Sequence, residues 1–285
     1  MKAQLIDGKR ISAEIKAEAA EEAAALKAKG ITPCLAVVLV GDDSASQVYV
    51  NNKKKACEAV GIRSVSHVLS GGTTEETLLE LIAKLNADKD IHGILVQMPV
   101  PKQIDERKVI LAIDPKKDVD CFHPVNVGNL HTGGEGFLPC TPAGIIELIK
   151  RSGHSIEGKQ CVVIGRSNIV GKPVAMLLMQ ENGTVTICHS RTRNLAEICR
   201  GADIIVSAVG KVNTVTADMV KEGAILIDVG MNRNEAGKLC GDVDFENVKE
   251  IAGAITPVPG GVGPMTIAML MKNCNTAAKI QNGLE

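Results

Sequence analysis

The feature that most constrains the fold is a series of short β-rich runs that alternate with helical stretches. In the second half of the chain these runs occupy residues 160–164, 184–188, 203–207 and 224–228. Strands that alternate with helices in this way pair in parallel, and helices cover both faces of the sheet. The pattern predicts a parallel sheet covered by helices on both faces.

The first half of the chain alternates in the same way. It contains predicted strands at residues 35–40, 65–69 and 93–97, and predicted helices at residues 10–29 and 44–60. Each of the two helices is followed by a glycine, the residue that most often ends a helix. This half therefore predicts an α/β structure as well.

Local signals set the expected boundaries. Thr73 and Glu76 have the spacing of a capping box that opens a helix. Thr141 and Pro142 read as the N-cap and first residue of another helix. Residues 114–139 between these signals are rich in glycine and are predicted to be the loop between two domains.

We therefore predict two α/β domains with a substrate cleft between them. The first covers residues 1–139, and the C-terminal helix at about residues 266–285 packs back on it. The second, residues 140–265, is predicted to be Rossmann-like with a parallel sheet.

Composition excludes several classes of protein. A formal net charge of -1 argues against a general nucleic-acid binder. Nine scattered cysteines without a CxxC pair indicate a reduced, cytoplasmic protein, and no cluster of residues has metal-ligand spacing. The longest apolar run, residues 35–40, is too short to span a membrane, and the N-terminus has no apolar signal core.

A dinucleotide site is predicted at the strand-to-helix turn that begins at Gly165. Ser167 and Val170 replace the second and third glycines of the Rossmann fingerprint, so the motif alone is weak. The next strand runs into Ser190 and Arg191 and lacks the carboxylate that binds the ribose hydroxyl of NAD. A hydroxyl and a guanidinium, aided by Arg166, favour the 2′-phosphate of NADP.

The same basic residues also suit a second interpretation. Arg191 and Arg193 are equally typical of solvated loop charges.

Candidate substrate residues lie in the first half of the chain. Tyr49 and Lys53 are four positions apart on a predicted helix and share one face. A YxxxK pair is typical of short-chain dehydrogenases, but there it follows the dinucleotide turn, whereas here it precedes Gly165 by more than a hundred residues. We reject that assignment. A solvated helix face explains the run of lysines from Lys53 equally well.

Three further segments are candidates for a binding site, and the first two also allow a purely structural interpretation. Gln97 ends a buried strand, where open α/β sheets bind ligands, but it also suits a satisfied strand end. Asp118 and Asp120 suit either a site or a capped turn. The segment 256–266 places three prolines and three glycines before a helix, a composition that favours close approach of the backbone to a ligand.

Together these segments resemble the bifunctional methylenetetrahydrofolate dehydrogenase/cyclohydrolase family, in the family's order and over nearly the whole chain. They are Tyr49-Val-Asn-Asn-Lys53, Gly93-Ile-Leu-Val-Gln-Met-Pro99, Lys117-Asp-Val-Asp120, Gly165-Arg-Ser-Asn-Ile-Val-Gly-Lys-Pro173 and Pro259-Gly-Gly-Val-Gly-Pro-Met-Thr266.

The resemblance implies roles for individual residues. Tyr49 stacks beside the folate, and Lys53 is the main catalytic residue. Gln97 tunes Lys53 by a hydrogen bond, and Asp120 anchors the pterin. The implied folate contacts are Tyr49, Lys53, Val96, Gln97, Met98, Asp120, Pro259, Gly260, Gly261, Val262 and Gly263. The implied NADP contacts are Gly165, Arg166, Ser167, Ser190, Arg191 and Met231.

The resemblance also implies an activity. The chain is expected to oxidise 5,10-methylenetetrahydrofolate with NADP and to hydrolyse the methenyl product to 10-formyltetrahydrofolate, as a homodimer serving one-carbon metabolism and purine biosynthesis. One departure is Cys121, which stands where the family usually has glycine. Two alternatives are another NADP-dependent dehydrogenase of similar plan, such as one resembling the shikimate dehydrogenases, and a binding protein without catalysis.

Overall fold

The computed structural model describes residues 2–284, except for the side chains of residues 44 and 45. The chain divides into two compact units. The six-stranded unit contains the residues up to Ala13 and Thr141–Thr266, and the three-stranded unit contains Glu14–Cys140 and the residues from Ile267 onward. The N-terminal residues thus group with the second half of the chain, whereas the predicted division assigned them to the first.

The strands of the described residues are β1 (Gln4–Leu5), β2 (Cys34–Val40), β3 (Arg63–Leu69), β4 (Gly93–Val96), β5 (Gln160–Ile164), β6 (Thr184–Cys188), β7 (Ile204–Ser207), β8 (Ile225–Asp228), β9 (Asn232–Arg233), β10 (Leu239–Cys240) and β11 (Ala254–Ile255). The helices are α1 (Gly8–Ala28), α2 (Ser44–Val60), α3 (Glu75–Ala87), α4 (Glu106–Ala112), α5 (Pro124–Thr132), α6 (Cys140–Arg151), α7 (Gly171–Gln180), α8 (Leu195–Arg200), α9 (Phe245–Val248) and α10 (Val262–Gln281), with a short 3-10 helix at Ala217–Met219. Among these helices, none is long and apolar enough to cross a membrane.

The three-stranded unit contains a parallel sheet in the order β3-β2-β4. All seven residues of β2 are buried, as expected for the central strand of a covered parallel sheet. Helix α2 follows β2 directly. It begins where the Asp43 carboxylate accepts a hydrogen bond from Ser46 N (2.8 Å), and it ends at Gly61 with a φ of 82°.

The six-stranded unit contains a sheet in the order β1-β11-β8-β7-β5-β6, and every neighbouring pair is parallel. From β5 the chain moves outward to the edge strand β6 and then returns to the other side of β5 as β7. This reversal creates a topological switch point at the carboxyl ends of β5 and β7, where open α/β sheets bind ligands. The predicted α/β class and parallel sheet are confirmed.

Several local predictions were wrong. Helix α3 is capped by Thr74, whose hydroxyl accepts from Thr77 N, and not by Thr73. Helix α6 begins at Cys140, so Thr141 is already helical and not the N-cap. The stretch predicted as an inter-domain loop contains helix α5, which starts at Pro124.

Candidate active site

Tyr49 and Lys53 lie one turn apart on α2, as their spacing predicts. Tyr49 is 42% exposed, whereas Lys53 is only 9% exposed. Buried lysines generally need a polar partner, because burying an unpaired ammonium is costly. Lys53 is thus not part of a solvated helix face.

The partner of Lys53 is Gln97. Lys53 Nζ donates a hydrogen bond to Gln97 Oε1 at 2.9 Å. Gln97 follows β4 directly and extends its pairing, since its backbone N–H donates to the carbonyl of Val38 on β2. Gln97 Nε2 donates to the Met98 carbonyl at 2.9 Å, which points Oε1 toward the lysine. The strand end therefore holds the lysine by a neutral acceptor.

The two aspartates of the segment after α4 have different environments. The buried Asp118 accepts hydrogen bonds on Oδ2 from His123 N (2.8 Å) and Asn126 Nδ2 (2.9 Å). The backbone of Asp118 also pairs in parallel with Ile94 of β4, so the role of Asp118 is structural. The Asp120 carboxylate accepts no hydrogen bond from any residue between 2 and 284. Asp120 is thus the aspartate with free acceptor oxygens.

The surroundings of Asp120 disfavour its charged form. Burial raises the pKa of Asp120 to about 6, the nearby ammonium of Lys53 opposes this rise, and the charge of Asp118 adds to it. A ligand that donated hydrogen bonds to this carboxylate would favour its ionised form.

Helix α10 holds the segment that carries Asp120 through hydrogen bonds. Asn273 Nδ2 donates hydrogen bonds to the carbonyls of Val119 and Leu138, both at 2.8 Å. Cys121, the residue after Asp120, is buried with a φ of 61°, and its thiol donates to the Phe137 carbonyl. This left-handed conformation suits glycine, the residue that the resemblance implies at this position, and cysteine adopts it here.

Two other predicted folate contacts lie in the same unit. Val96 and Met98 line a small cavity with Asp120, Ile94 and Phe122. The Val96 side chain also packs into the apolar core between the sheet and α3. Tyr49, Lys53, Gln97 and Asp120 thus come from three separate segments of one unit.

The glycine-rich loop at 259–263 belongs to the six-stranded unit, at the start of α10. Gly260 has a φ of 104°, and a Cβ at Gly261 would lie 2.6 Å from the Pro257 carbonyl oxygen. The carbonyl of Gly261 in turn leaves no room for a Cβ at Gly8. The loop is therefore rigid and is built from backbone. The peptide bonds Met98-Pro99 and Val258-Pro259 are cis.

The turn after β5 is suited to a dinucleotide. Gly165 has a φ of 130°, and a Cβ there would lie 2.5 Å from the Ala208 carbonyl oxygen. A Cβ at Gly171 would lie 2.3 Å from the Gly165 carbonyl oxygen. Gly171, one position after Val170, thus takes the close-packing role of the third fingerprint glycine. Our prediction missed Gly171.

Polar groups at this turn fit an anionic ligand. Ser167 Oγ accepts from the N–H groups of Val170 and Gly171, both at 3.2 Å, and so caps α7. The N–H groups of residues 166–169 donate to no other group in the described chain. Arg166 and the turn residues Ser190 and Arg191 after β6 are exposed, so their side chains are accessible to phosphates.

Comparisons with known proteins match both units. Residues 6–120 match the model for "Tetrahydrofolate dehydrogenase/cyclohydrolase, catalytic domain", and residues 139–282 match the model for "Tetrahydrofolate dehydrogenase/cyclohydrolase, NAD(P)-binding domain". The chain belongs to this family. The match agrees with the resemblance drawn from the five motifs and excludes a dehydrogenase of the shikimate class.

Individual relatives are similar over their whole length. "Bifunctional protein FolD" of Acetivibrio thermocellus is 61% identical over 281 residues, covering 99% of both chains. The solved FolD enzyme of Campylobacter jejuni is 53% identical with a TM-score of 0.95, over 98% of this chain and 99% of that one. The Trypanosoma brucei dehydrogenase-cyclohydrolase, solved with NADP and an inhibitor, is 42% identical with a TM-score of 0.92 over 98% of both chains.

Other functional residues had no sequence signal that we recognised. Asn273 lies in the middle of α10, and its contacts with residues 119 and 138 depend on the tertiary fold. Among the described residues, no group of three or more His, Cys, Asp or Glu side chains is arranged to hold a metal ion.

Proposed function

We propose that this protein oxidises 5,10-methylenetetrahydrofolate with NADP and hydrolyses the methenyl product to 10-formyltetrahydrofolate. Family membership supports both activities. The observation that carries the assignment is the pair of a buried lysine and a strand-end amide, with Lys53 Nζ 2.9 Å from Gln97 Oε1.

In the proposed site, each side chain has a separate task. The exposed ring of Tyr49 stacks on the folate. The Asp120 carboxylate accepts N–H groups of the pterin, for which both of its oxygens are free. The backbone of residues 259–263 and the residues Val96 and Met98 complete the set of proposed folate contacts.

The hydrolytic step needs proton transfer. Water attacks the bridging carbon of the methenyl cation and releases one proton, which leaves a hydroxyl group on that carbon. The bond from the carbon to N5 then breaks as the hydroxyl proton is transferred to N5 and the C=O bond forms. We assign these transfers to Lys53 Nζ, which the Gln97 amide orients without adding charge. The net reaction consumes one water and releases one proton.

The cofactor residues bind and orient. When bound, NADP accepts a hydride from the bridging methylene group of the substrate. The absence of side chains at Gly165 and Gly171 allows the turn to pack closely against the backbone of Ala208 and of Gly165 itself, and the N–H groups of residues 166–169, which donate to no other group in the described chain, would hold the pyrophosphate. Arg166, Ser167, Ser190 and Arg191 are proposed to hold the phosphates, and Met231 is proposed to contact the cofactor.

We further propose a cytoplasmic homodimer. Eight of the nine cysteines are buried and all nine are free thiols, which suits a reducing compartment. The outer strand β6 of the six-stranded sheet leaves an exposed edge. Sedimentation velocity tests the dimer, since a monomer of 30.0 kDa at all concentrations would contradict it.

The first test is an ultraviolet assay of the purified protein with 5,10-methylenetetrahydrofolate, run with NADP and with NAD. Methenyl formation that prefers NADP, followed by enzyme-dependent decay, is expected. Turnover with NAD alone would contradict the assignment of Ser190 and Arg191. Absence of turnover from folded protein would favour binding without catalysis.

The second test removes the amine. Lys53→Met should lower the cyclohydrolase rate by about a hundredfold or more, the usual contribution of a positioned acid or base. Lys54→Met is the matched control, because Lys54 is the exposed next residue of the same helix. Methenyl hydrolysis at a near-normal rate in Lys53→Met would disprove the assignment.

A further inference from the structure

A buried carboxylate lies beneath the turn that follows β7. Asp242 is fully buried, and its Oδ2 accepts hydrogen bonds from Val209 N (2.8 Å) and Gly210 N (3.3 Å). The same oxygen accepts from Ser207 Oγ at 3.1 Å. Its Oδ1 accepts from Lys211 N at 2.9 Å. One side chain therefore binds three consecutive backbone N–H groups of the turn.

The same carboxylate holds a second segment. Asn232 Nδ2 donates to Asp242 Oδ1 at 2.9 Å. A Cβ at Gly230 would lie 2.2 Å from that oxygen, so only glycine fits there. Met231, between these two residues, is 54% exposed. Asp242 thus contacts both neighbours of an exposed methionine, through a hydrogen bond from the Asn232 side chain and close packing against Gly230, whose N–H donates to Asp228 Oδ1.

Asp242 is itself held by Asp228 at the end of β8. Asp228 Oδ1 accepts from Asp242 N at 2.8 Å, and Asp228 Oδ2 accepts from Val243 N at 2.9 Å. A Cβ at Gly241 would lie 1.9 Å from the same Oδ2. Because Gly241 packs so closely against Asp228, which lies at the end of β8, the sheet determines the position of Asp242.

The turn held in this way borders the topological switch point. It follows Ala208, whose carbonyl oxygen leaves no space for a side chain at Gly165. Val209 in the turn is 40% exposed although it is apolar. Val209, next to the residue that packs against Gly165, and Met231, whose neighbour Asn232 binds the same carboxylate, are both exposed apolar side chains suited to pack against a flat ligand.

We propose that Asp242 is a positioning residue for the dinucleotide, because it holds the turn 209–211 and Met231 in the conformation that receives the cofactor. The inference rests on the proposed function, which places NADP at this edge of the sheet. Prior ordering of both segments reduces the conformational entropy lost on binding. Asp242 itself does not need to touch the cofactor.

The test compares Asp242→Asn with the wild type in two assays. Asparagine turns an amide N–H group toward N–H donors and removes the charge that strengthens their hydrogen bonds. We expect the KM for NADP to rise about tenfold or more, with a smaller change in kcat. The KM for the folate and the cyclohydrolase rate on added methenyl substrate without NADP should remain near wild type.

Two other variants complete the design. Asp244→Asn is the matched control, since Asp244 lies two residues away and its side chain accepts from Asn247. Asn232→Ala removes one donor and leaves the carboxylate. It should raise the KM for NADP several-fold, and it tests the positioning role of Asp242 if Asp242→Asn does not fold.

The outcomes separate the inference from the function on which it rests. Loss of both activities in parallel, or an unchanged KM for NADP in Asp242→Asn, would overturn the positioning role. So would an unchanged KM in Asn232→Ala if Asp242→Asn is insoluble. Failure of the wild-type protein to use NADP would instead contradict the proposed function.

Discussion

Asp120→Asn removes the charge from a carboxyl group whose burial raises its pKa to about 6. The ordinary pKa of this group is 3.8, so between these values the folded protein retains a proton that the unfolded chain has released. The free energy of unfolding of the wild type therefore falls as the pH rises through this window. At about 1.4 kcal/mol per pH unit, the loss approaches about 3 kcal/mol at neutral pH.

An asparagine at this position avoids that loss. Urea unfolding should show Asp120→Asn to be more stable than the wild type by about 2 to 3 kcal/mol near pH 7, and about equally stable near pH 4. The variant should also bind the folate more weakly, with a KM raised about 10- to 100-fold, because an amide oxygen is a poorer acceptor than a carboxylate.

Asp118→Asn is the control with the opposite sign. Because Asp118 accepts hydrogen bonds from His123 and Asn126, its replacement should destabilise the protein by about 1 to 3 kcal/mol. The reasoning about Asp120 is refuted if Asp120→Asn is no more stable than the wild type at neutral pH, or if the difference in stability does not change with pH.

Three other predictions address the backbone. Gly165→Ala should abolish NADP binding in a fluorescence titration but leave methenyl hydrolysis intact. The control is Gly158→Ala, at a glycine with positive φ and open space around it, which should cost about 1 to 2 kcal/mol of stability without affecting NADP binding. Cys121→Val should lower the stability to urea by about 2 kcal/mol or more, because a β-branched residue is strained at a φ of 61°. Asn273→Leu should destabilise the protein by about 2 to 4 kcal/mol and raise the KM for the folate, whereas Asn282→Ala at the exposed end of α10 should do neither.

The parts of the fold that the sequence predicts are those with a strong local signal. Strand β2 is seven consecutive apolar residues, and α2 is delimited by Asp43 and Gly61. Helix α5 has boundary signals at Pro124 and Gly133, but they lie in a glycine-rich stretch and Gly128 interrupts the helix itself, so its signal is weak. It is stabilised by tertiary contacts, such as the hydrogen bond from Asn126 to Asp118, that no short window of sequence contains.

Some features of the candidate site also follow from local sequence, whereas others depend on the tertiary fold. The shared face of Tyr49 and Lys53 follows from helical spacing alone. The hydrogen bond from Lys53 to Gln97 requires α2 to pack beside the end of β4, so spacing cannot predict it. Asp118 and Asp120 are indistinguishable by residue type, and only the fold shows that Asp118 accepts two hydrogen bonds while Asp120 accepts none from the described residues.

Cys121 shows how a departure from a family pattern is absorbed. Glycine is favoured where φ is positive, and the φ of 61° at this position is the reason for that preference. The turn does not depend on glycine alone, because Asp118 is tied to α5 on one side and the Val119 carbonyl to Asn273 on the other. The buried thiol adds its own hydrogen bond to the Phe137 carbonyl. The cysteine therefore occupies a conformation that favours glycine, and the hydrogen bonds of Asp118, Val119 and Cys121 determine the path of the chain on both sides of Asp120.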